Sequence, residues 1–418
     1  MSEKFAPPRG TQDLLPPVSD AIEALAAAAS RRARLFGFHR IETPTFEHTE
    51  LFARGVGEST DIVAKEMYTF DDKGGRSLTL RPEGTAPVVR AYLGNRQSLG
   101  SPFKAFYVVP MFRHERPQAG RMRQHTQFGV EVIGTDAPGA DVEVIGVAHA
   151  FLSGLGVRLE LKLNSIGDPA CRPAYRDALI AFLEERADRL PKESRERIHQ
   201  NPLRVLDAKD DASREATVDA PSILEFLCAE CREHLASVRS GLDDEGIAYE
   251  VDPRLVRGLD YYTRTTFEFV SPSLGPTQST LCGGGRYDGL AETLGGDHTP
   301  GIGFGLGLER ALLAIEREGL EAPRPQATEV FVVALGTDAQ QEGRAFVRTL
   351  REAGVPTEMT LEDRPMKAQL KQADRSGARF TAIIGEQELA SGEATMRRMA
   401  DGEQERVKRS EVVSWLSR

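Results

Sequence analysis

Gly301-Ile-Gly-Phe-Gly-Leu-Gly-Leu-Glu-Arg310 sets glycine at every second position, and apolar spacing then carries a helix from Leu308 to about Arg317. Successive strand residues point to opposite faces of a sheet, so one face of this segment is apolar and the other is bare backbone. A bare face lets another chain segment or a flat base lie directly on the sheet. A close-packed strand–helix junction would use the same pattern. The segment does not fit the dinucleotide fingerprint, and the chain has no Gly-Lys pair and hence no Walker A loop. Arg310 falls in the first turn of the helix, where anions are favoured. Cys282-Gly-Gly-Gly-Arg-Tyr-Asp-Gly289 is a second glycine-rich run.

Leu255-Val-Arg-Gly-Leu-Asp-Tyr-Tyr-Thr263 lies just ahead of an alternating strand, Thr265 to Val270. Adjacent tyrosines on a strand edge should face opposite ways, one packing and the other presenting its hydroxyl. Arg257 beside them offers a fixed fork of donors for carboxylate or phosphate. Between the strands Ala105 to Val109 and Phe128 to Ile133 runs an arginine-rich hairpin loop. Ordering so long a loop costs entropy. Its arginines could grip a triphosphate, or they could be a solvated surface. Leu80-Arg-Pro-Glu-Gly-Thr85 ends a strand in a turn that presents Glu83 and Thr85 to an ammonium group, or merely caps a helix starting at Ala86. Gln127 and Glu131 share a strand face, and Gly129 between them leaves room for a ligand.

A chain of 418 residues implies two or three domains. With 40% hydrophobic and 28% charged residues the composition is that of a globular protein. No run approaches a membrane span, and Met1 to Pro8 has no apolar core of a secretory signal. Four cysteines suggest a reducing compartment, and the expected location is the cytoplasm. A net charge of −10 argues against nucleic acid, but the four arginines between Arg113 and Arg123 outweigh that average. Cys228-Ala-Glu-Cys231, with His234 and the distant Cys171, invites a zinc reading. No second Cys-x-x-Cys exists and the pair lies in an expected helix, so buried thiols are favoured.

Periodicity predicts helices at Val18 to Leu35, Asp141 to Leu155, Tyr175 to Glu185 and Ile223 to Leu242, with strands at Leu159 to Leu163 and Gln278 to Cys282. Short strands dominate from Ser77 to Glu131, and charged helical sequence fills 167–245. After the linker Glu321 to Ala327 comes a β–α–β rhythm: Val330 to Leu335, Gln340 to Ala353, Pro356 to Thr360, Met366 to Arg375 and Phe380 to Ile384. A hairpin around Asp401-Gly402 and a terminal helix close it.

Pro8-Arg-Gly-Thr-Gln-Asp-Leu-Leu-Pro16, Leu80 to Thr85, Phe112 to Glu131, Leu255 to Thr263, Cys282 to Leu290 and Gly301 to Arg310 together, in this order, resemble the histidyl-tRNA synthetases. The likeness runs on to the Lys367 to Arg375 block and covers nearly the whole chain. Phe112 to Glu115 and Gly307 to Arg310 resemble the second and third motifs of class II synthetases. The resemblance implies an α+β fold: an antiparallel catalytic domain (1–166 with 246–322), a helical insertion (167–245) and an α/β anticodon-binding domain (327–418).

It also implies site roles. Arg113 would contact the ATP α-phosphate and Glu115 the adenine amino group, while Arg121 and Arg310 hold the outer phosphates with magnesium. Glu83, Thr85 and Gln127 would receive the histidine ammonium, Gly84 and Arg113 would also bind histidine, and Arg113 would share catalysis with Arg257. Glu131 and Tyr262 would meet the imidazole nitrogens, and Tyr261 would line the pocket. Arg257 would be the catalytic arginine at the carboxylate and α-phosphate. Arg116 and Gln118 would meet the tRNA acceptor end, and the chain would dimerise partly around Pro44. No side chain is assigned to a metal. His125-Thr126 stands where the family usually has Phe-His, so an imidazole would replace the phenyl ring stacked on adenine. Two other readings are a non-catalytic regulatory subunit of ATP phosphoribosyltransferase, which typically loses the Leu255 to Thr263 segment, and a synthetase for glycine, proline or threonine.

Overall fold

The structure is a computed structural model that describes residues 5–57, 60–118, 120–206, 208, 210–275, 279–325, 328–362 and 364–417. Met1 to Lys4, the expected strand start at Gln278, and Gln326 and Ala327 of the linker lie outside the described residues. Two compact units divide the chain, Met1–Pro323 and Arg324–Arg418. Among the described residues no helix is long and apolar enough to cross a membrane.

The first unit holds strands β1 (His39–Arg40), β2 (Phe46–His48), β3 (Tyr68–Asp71), β4 (Ser77–Leu80), β5 (Phe103–Phe112), β6 (Gln124–Ile133), β7 (Glu160–Ser165), β8 (Glu250–Val251), β9 (Thr263–Val270), β10 (Thr280–Arg286) and β11 (Gly301–Gly307). Eight of them form one sheet in the order β1-β5-β6-β11-β10-β9-β7-β8, antiparallel except at its two outermost pairs. Strands β2, β4 and β3 make a small antiparallel sheet.

Alternation assigns the faces of the large sheet. Phe106 of β5, Phe128 and Val130 of β6, Phe267 of β9, and Ile302, Phe304 and Leu306 of β11 join one core. Helix Val18–Leu35 covers this face with Ile22, Leu25, Ala29 and Ala33, a stripe at helical spacing. Helices Pro138–Ser153 and Leu308–Arg317 complete the layer. Against the other face Helix Thr85–Leu99 packs Val88, Val89 and Tyr92 onto Phe103, Tyr107 and Met111. That 15-residue helix breaks the run of short strands expected from Ser77 to Glu131.

Between 167 and 245 the described residues are mostly in short helices, and Tyr175, Leu179, Leu183, Cys231 and Val238 belong to the same core as the sheet. The single helix expected from Ile223 to Leu242 is two, Ile223–Phe226 and Ala229–Asp244. Leu227 and Cys228 are extended between them, and the Cys228 thiol caps the second by accepting from the Cys231 N–H. Apolar spacing stays in phase across the break, so periodicity cannot see it.

The second unit has strands β12 (Val330–Ala334), β13 (Thr357–Met359), β14 (Phe380–Ile384), β15 (Glu393–Arg398) and β16 (Gln404–Lys408), ordered β13-β12-β14-β15-β16. Strands β13, β12 and β14 are parallel, and β12 and β14 are wholly buried, as continuous apolar runs require. Helices Thr337–Glu352 and Met366–Ser376 cover opposite faces. The Asp401-Gly402 hairpin pairs β15 with β16, with Gly402 at φ +77°.

One buried ion pair joins layers of the first unit. Arg286 and Asp141 are both fully buried; Nε and Nη2 of Arg286 donate to Asp141 at 2.9 and 2.7 Å. His234 Nε2 meets the same carboxylate at 3.0 Å. Burial alone would raise the Asp141 pKa, but His234 and Arg286 bring it below the usual range. Arg286→Met strands that carboxylate, so unfolding free energy should fall by roughly 3–5 kcal/mol. Denaturant unfolding of the two proteins checks it; an unchanged midpoint would show that the pair carries no such weight.

Candidate active site

The helix-free part of the large sheet's second face forms the floor of a cleft. Strand register sets Tyr107, Gly129, Gly305, Gly283 and Glu268 in one row across β5, β6, β11, β10 and β9. The next row is Ala105, Glu131, Gly303, Gly285 and Thr266. The bare positions are filled by the protein's own side chains. A Cβ on Gly303 would strike the Glu131 carboxylate, on Gly305 the Gln127 amide, on Gly283 the Arg257 guanidinium, and on Gly285 the Tyr262 ring. The space expected for a ligand above Gly129 is occupied by the Tyr107 ring, which also lies against Gly84.

Glu83, Thr85, Arg113, Glu115, Arg121 and His125 line this cleft, together with Gln127, Arg257, Tyr261, Tyr262 and Arg310. Four arginines gather at one end. Arg113 is aimed by a 2.7 Å bond from Nε to the Pro82 carbonyl, and Arg310 by one of 2.8 Å from Nη1 to that of Thr280. Glu115 sits between Arg113 and Arg121, at 3.9 and 3.5 Å. Burial, then the neighbouring charge of Arg121, lowers the Arg310 pKa to about 10. Cations crowded this way favour a bound anion. Arg257 pairs with Glu268, which also accepts from Thr280 Oγ1 at 2.9 Å. The Arg257 Nε is buried without a partner.

Carboxylates and phenols form the other end. Both oxygens of Glu83 accept backbone N–H groups, from Thr85 at 2.8 Å and Ala86 at 2.9 Å, so the residue caps Helix Thr85–Leu99. Burial raises its pKa, against those two bonds. The Glu131 carboxylate accepts three hydroxyls, from Thr85 Oγ1 at 2.8 Å, Tyr287 OH at 2.6 Å and Tyr107 OH at 3.3 Å. Glu131 is fully buried beneath the cleft, and desolvation lifts its pKa to about 8 despite these donors. Tyr261 and Tyr262 precede β9, and their ring centroids lie 4.7 Å apart in the same cleft. They do not face opposite ways, because strand alternation begins only at Thr263.

His125 is half-buried in the cleft, and burial with the charges of Arg113 and Arg310 depresses its pKa to about 3. Its ring is therefore neutral near pH 7. Arg116 and Gln118 are exposed on the hairpin loop, outside the residues lining the cleft. Sequence reasoning missed Tyr107, Tyr287, Glu268 and Arg81. Period two from Gly129's neighbour would have put Tyr107 over the cleft face, but only cross-strand register shows that it fills the gap. Arg81 is buried, donating to the carbonyls of Pro110 at 2.9 Å and Thr43 at 2.8 Å, and so fixes the strand end before Glu83.

The family model described as "Histidyl-tRNA synthetase" matches residues 10–311, and one described as "Anticodon binding domain" matches 329–418. A relative from Geobacillus sp. (strain WCH70), "Histidine--tRNA ligase", is 49% identical over 99% of this chain and 98% of its own length. The structure of apo S. aureus histidyl-tRNA synthetase superposes with a TM-score of 0.82 at 38% identity, covering 99% of this chain and 100% of that one. A Bacillus halodurans protein described as an ATP phosphoribosyltransferase regulatory subunit/histidyl-tRNA synthetase shares the fold at 21% identity and a TM-score of 0.65, over 92% of this chain and 100% of its own. The chain belongs to the histidyl-tRNA synthetase family.

Proposed function

We infer that the chain is a histidine–tRNA ligase, which activates L-histidine with ATP and transfers it to the 3′ end of histidine tRNA. The observation that carries the residue-level reading is the polarity of one cleft: four arginines at one end, carboxylates and phenols at the other. An amino acid bound with its ammonium toward Glu83, Thr85 and Gln127 points its carboxylate at Arg257. A carboxylate oxygen attacks the α-phosphorus, the bond to the β-phosphate breaks, and pyrophosphate leaves. A terminal ribose hydroxyl of the tRNA then attacks the acyl carbon and AMP departs.

Negative charge grows on the phosphate oxygens during the first step, so the preset guanidinium groups of Arg113 and Arg257 stabilise it most. Arg121 and Arg310 face the outer phosphates. His125 lies flat against adenine as a neutral ring and Glu115 takes its amino group. Tyr262 and Glu131 read the imidazole. An amino acid without ring nitrogens leaves such buried groups unpaired, which supports discrimination of about 10⁴-fold. The cleft carboxylates Glu115 and Glu268 already bond arginines. A magnesium ion carried in on ATP would add only their spare lone pairs to phosphate and water ligands, and would neutralise phosphate charge. We further assign 167–245 to the acceptor arm, Arg116 and Gln118 to the acceptor end, and the enzyme to a cytoplasmic homodimer. The regulatory-subunit reading is disfavoured because Arg257, Tyr261, Tyr262 and the matched 329–418 module are all present.

Pyrophosphate exchange measured across all amino acids should occur with histidine alone; exchange with glycine, proline or threonine instead would reject the specificity. Arg257→Ala should cut histidine-dependent exchange about 10²–10³-fold in a protein that remains folded by circular dichroism. Near-normal exchange would remove Arg257 from the chemistry. Glu131→Gln should raise the histidine KM about tenfold or more, by replacing one carboxyl oxygen of a buried hydrogen-bonded set with an NH2 group. It should also change the pH dependence of stability. A carboxyl raised to about 8 in the folded chain contributes fully only below its unfolded pKa, and that contribution is lost as pH rises through 8. The wild-type advantage over Glu131→Gln should therefore shrink between about pH 5 and 8.5, by at most roughly 1.4 kcal/mol per unit. Thermal midpoints across that range decide it, and a constant difference counts against the raised pKa.

A further inference from the structure

Asp168-Pro-Ala-Cys171 follows β7 and Cys228-Ala-Glu-Cys231 opens Helix Ala229–Asp244, far apart in sequence. Folding brings one ligand atom from each of the four residues within 4.8 Å of all the others. The Sγ atoms of Cys171 and Cys231 are 3.8 Å apart, and both Asp168 oxygens lie 3.9 Å from the Cys228 Sγ. Tetrahedral zinc with 2.3 Å bonds to sulfur sets its thiolates about 3.8 Å apart. Each pair also has the two-residue spacing of structural zinc ligands. Backbone N–H groups point at the sulfurs, from Asp168 to Cys171 at 3.2 Å and from Cys231 to Cys228 at 3.4 Å.

We propose that Asp168, Cys171, Cys228 and Cys231 form a structural zinc site. Three sulfurs and one carboxylate suit zinc over harder cations, and four protein ligands leave no open position for catalysis. Three thiolates and a carboxylate leave the loaded site negative, and Arg264, 3.6 Å from Asp168, answers that charge. His234 is not a ligand, because its ring nitrogen is engaged by Asp141. The second ligand pair is Asp-x-x-Cys, which a search for a second Cys-x-x-Cys passes over.

The ion would act on the substrate pocket through two arginines. Arg172, next to Cys171, donates to the Tyr262 carbonyl and, at 3.1 Å, to that of Ile166. Arg264 has φ 49°, the one positive value among described non-glycine residues, and its backbone bonds Gly167 and Ile166 at 2.7 and 2.8 Å. Zinc therefore ties the turn at 168–171 to Helix Ala229–Asp244 and holds the backbone beneath Tyr261 and Tyr262.

The test is elemental analysis of the full-length protein, expressed with zinc and purified without chelator, alongside a count of thiols reactive in the native state. About one zinc per chain is expected, released as a mercurial titrates the thiols. Cys228→Ser should lose the metal; Asp168→Cys, which completes a four-thiolate set, and Cys282→Ser should retain it. Cobalt loading should give a thiolate charge-transfer band that Cys231→Ser abolishes. A wild-type protein with no more zinc than Cys228→Ser, stoichiometric iron in place of zinc, or a Cys171–Cys231 disulfide would overturn the proposal. The wild-type metal content decides even where a variant fails to fold.

Discussion

Missing Cβ atoms on one face of the large sheet are the constraint on which the site depends. Gly283, Gly285, Gly303 and Gly305 clear a floor where Arg257, Tyr262, Glu131 and Gln127 lie flat instead of standing above a layer of methyl groups. The opposite face of the same strands is close-packed with Phe267, Phe304 and Leu306. A pleated strand delivers both results from alternate residues. Rigidity comes from one side of the backbone and a recess from the other.

The recess is electrically divided. Arginines that repel one another are held at one end by carbonyls of Pro82 and Thr280, so their charge is preset before any ligand arrives. At the other end, Glu131 is surrounded by hydroxyls of Thr85, Tyr107 and Tyr287. Those donors lower the cost of burying a carboxylate without cancelling it, as its raised pKa records. A zwitterion entering such a field has only one favourable orientation.

Much of this was legible in the sequence where the code is local. The helix Val18–Leu35 follows from its apolar stripe, the strand Gly301–Gly307 from its period, and the hairpin loop from the strands on either side. Cleft residues such as Arg113, Gln127 and Arg257 stood out by motif, and the fold brings them together. What stayed hidden depends on register or on small dihedral changes. Tyr107 filling the gap at Gly129 needs the β5–β6 register; the turn at Tyr261 and Tyr262 needs the start of β9; the break at Cys228 leaves periodicity intact. Asp168 was passed over because its only local link is the spacing to Cys171, while Cys228 and Cys231 reach it through the fold.

Arg286 occupies the residue before Tyr287, whose hydroxyl holds Glu131, while its guanidinium holds Asp141 and, through it, His234 on Helix Ala229–Asp244. The helical segment and the floor of the recess thus share one buried polar chain. Sliding that helix would break the buried His234–Asp141 bond, so motion of the segment is resisted at this point. The geometry that reads a small molecule is stiffened from behind, by a fastening that no ligand touches.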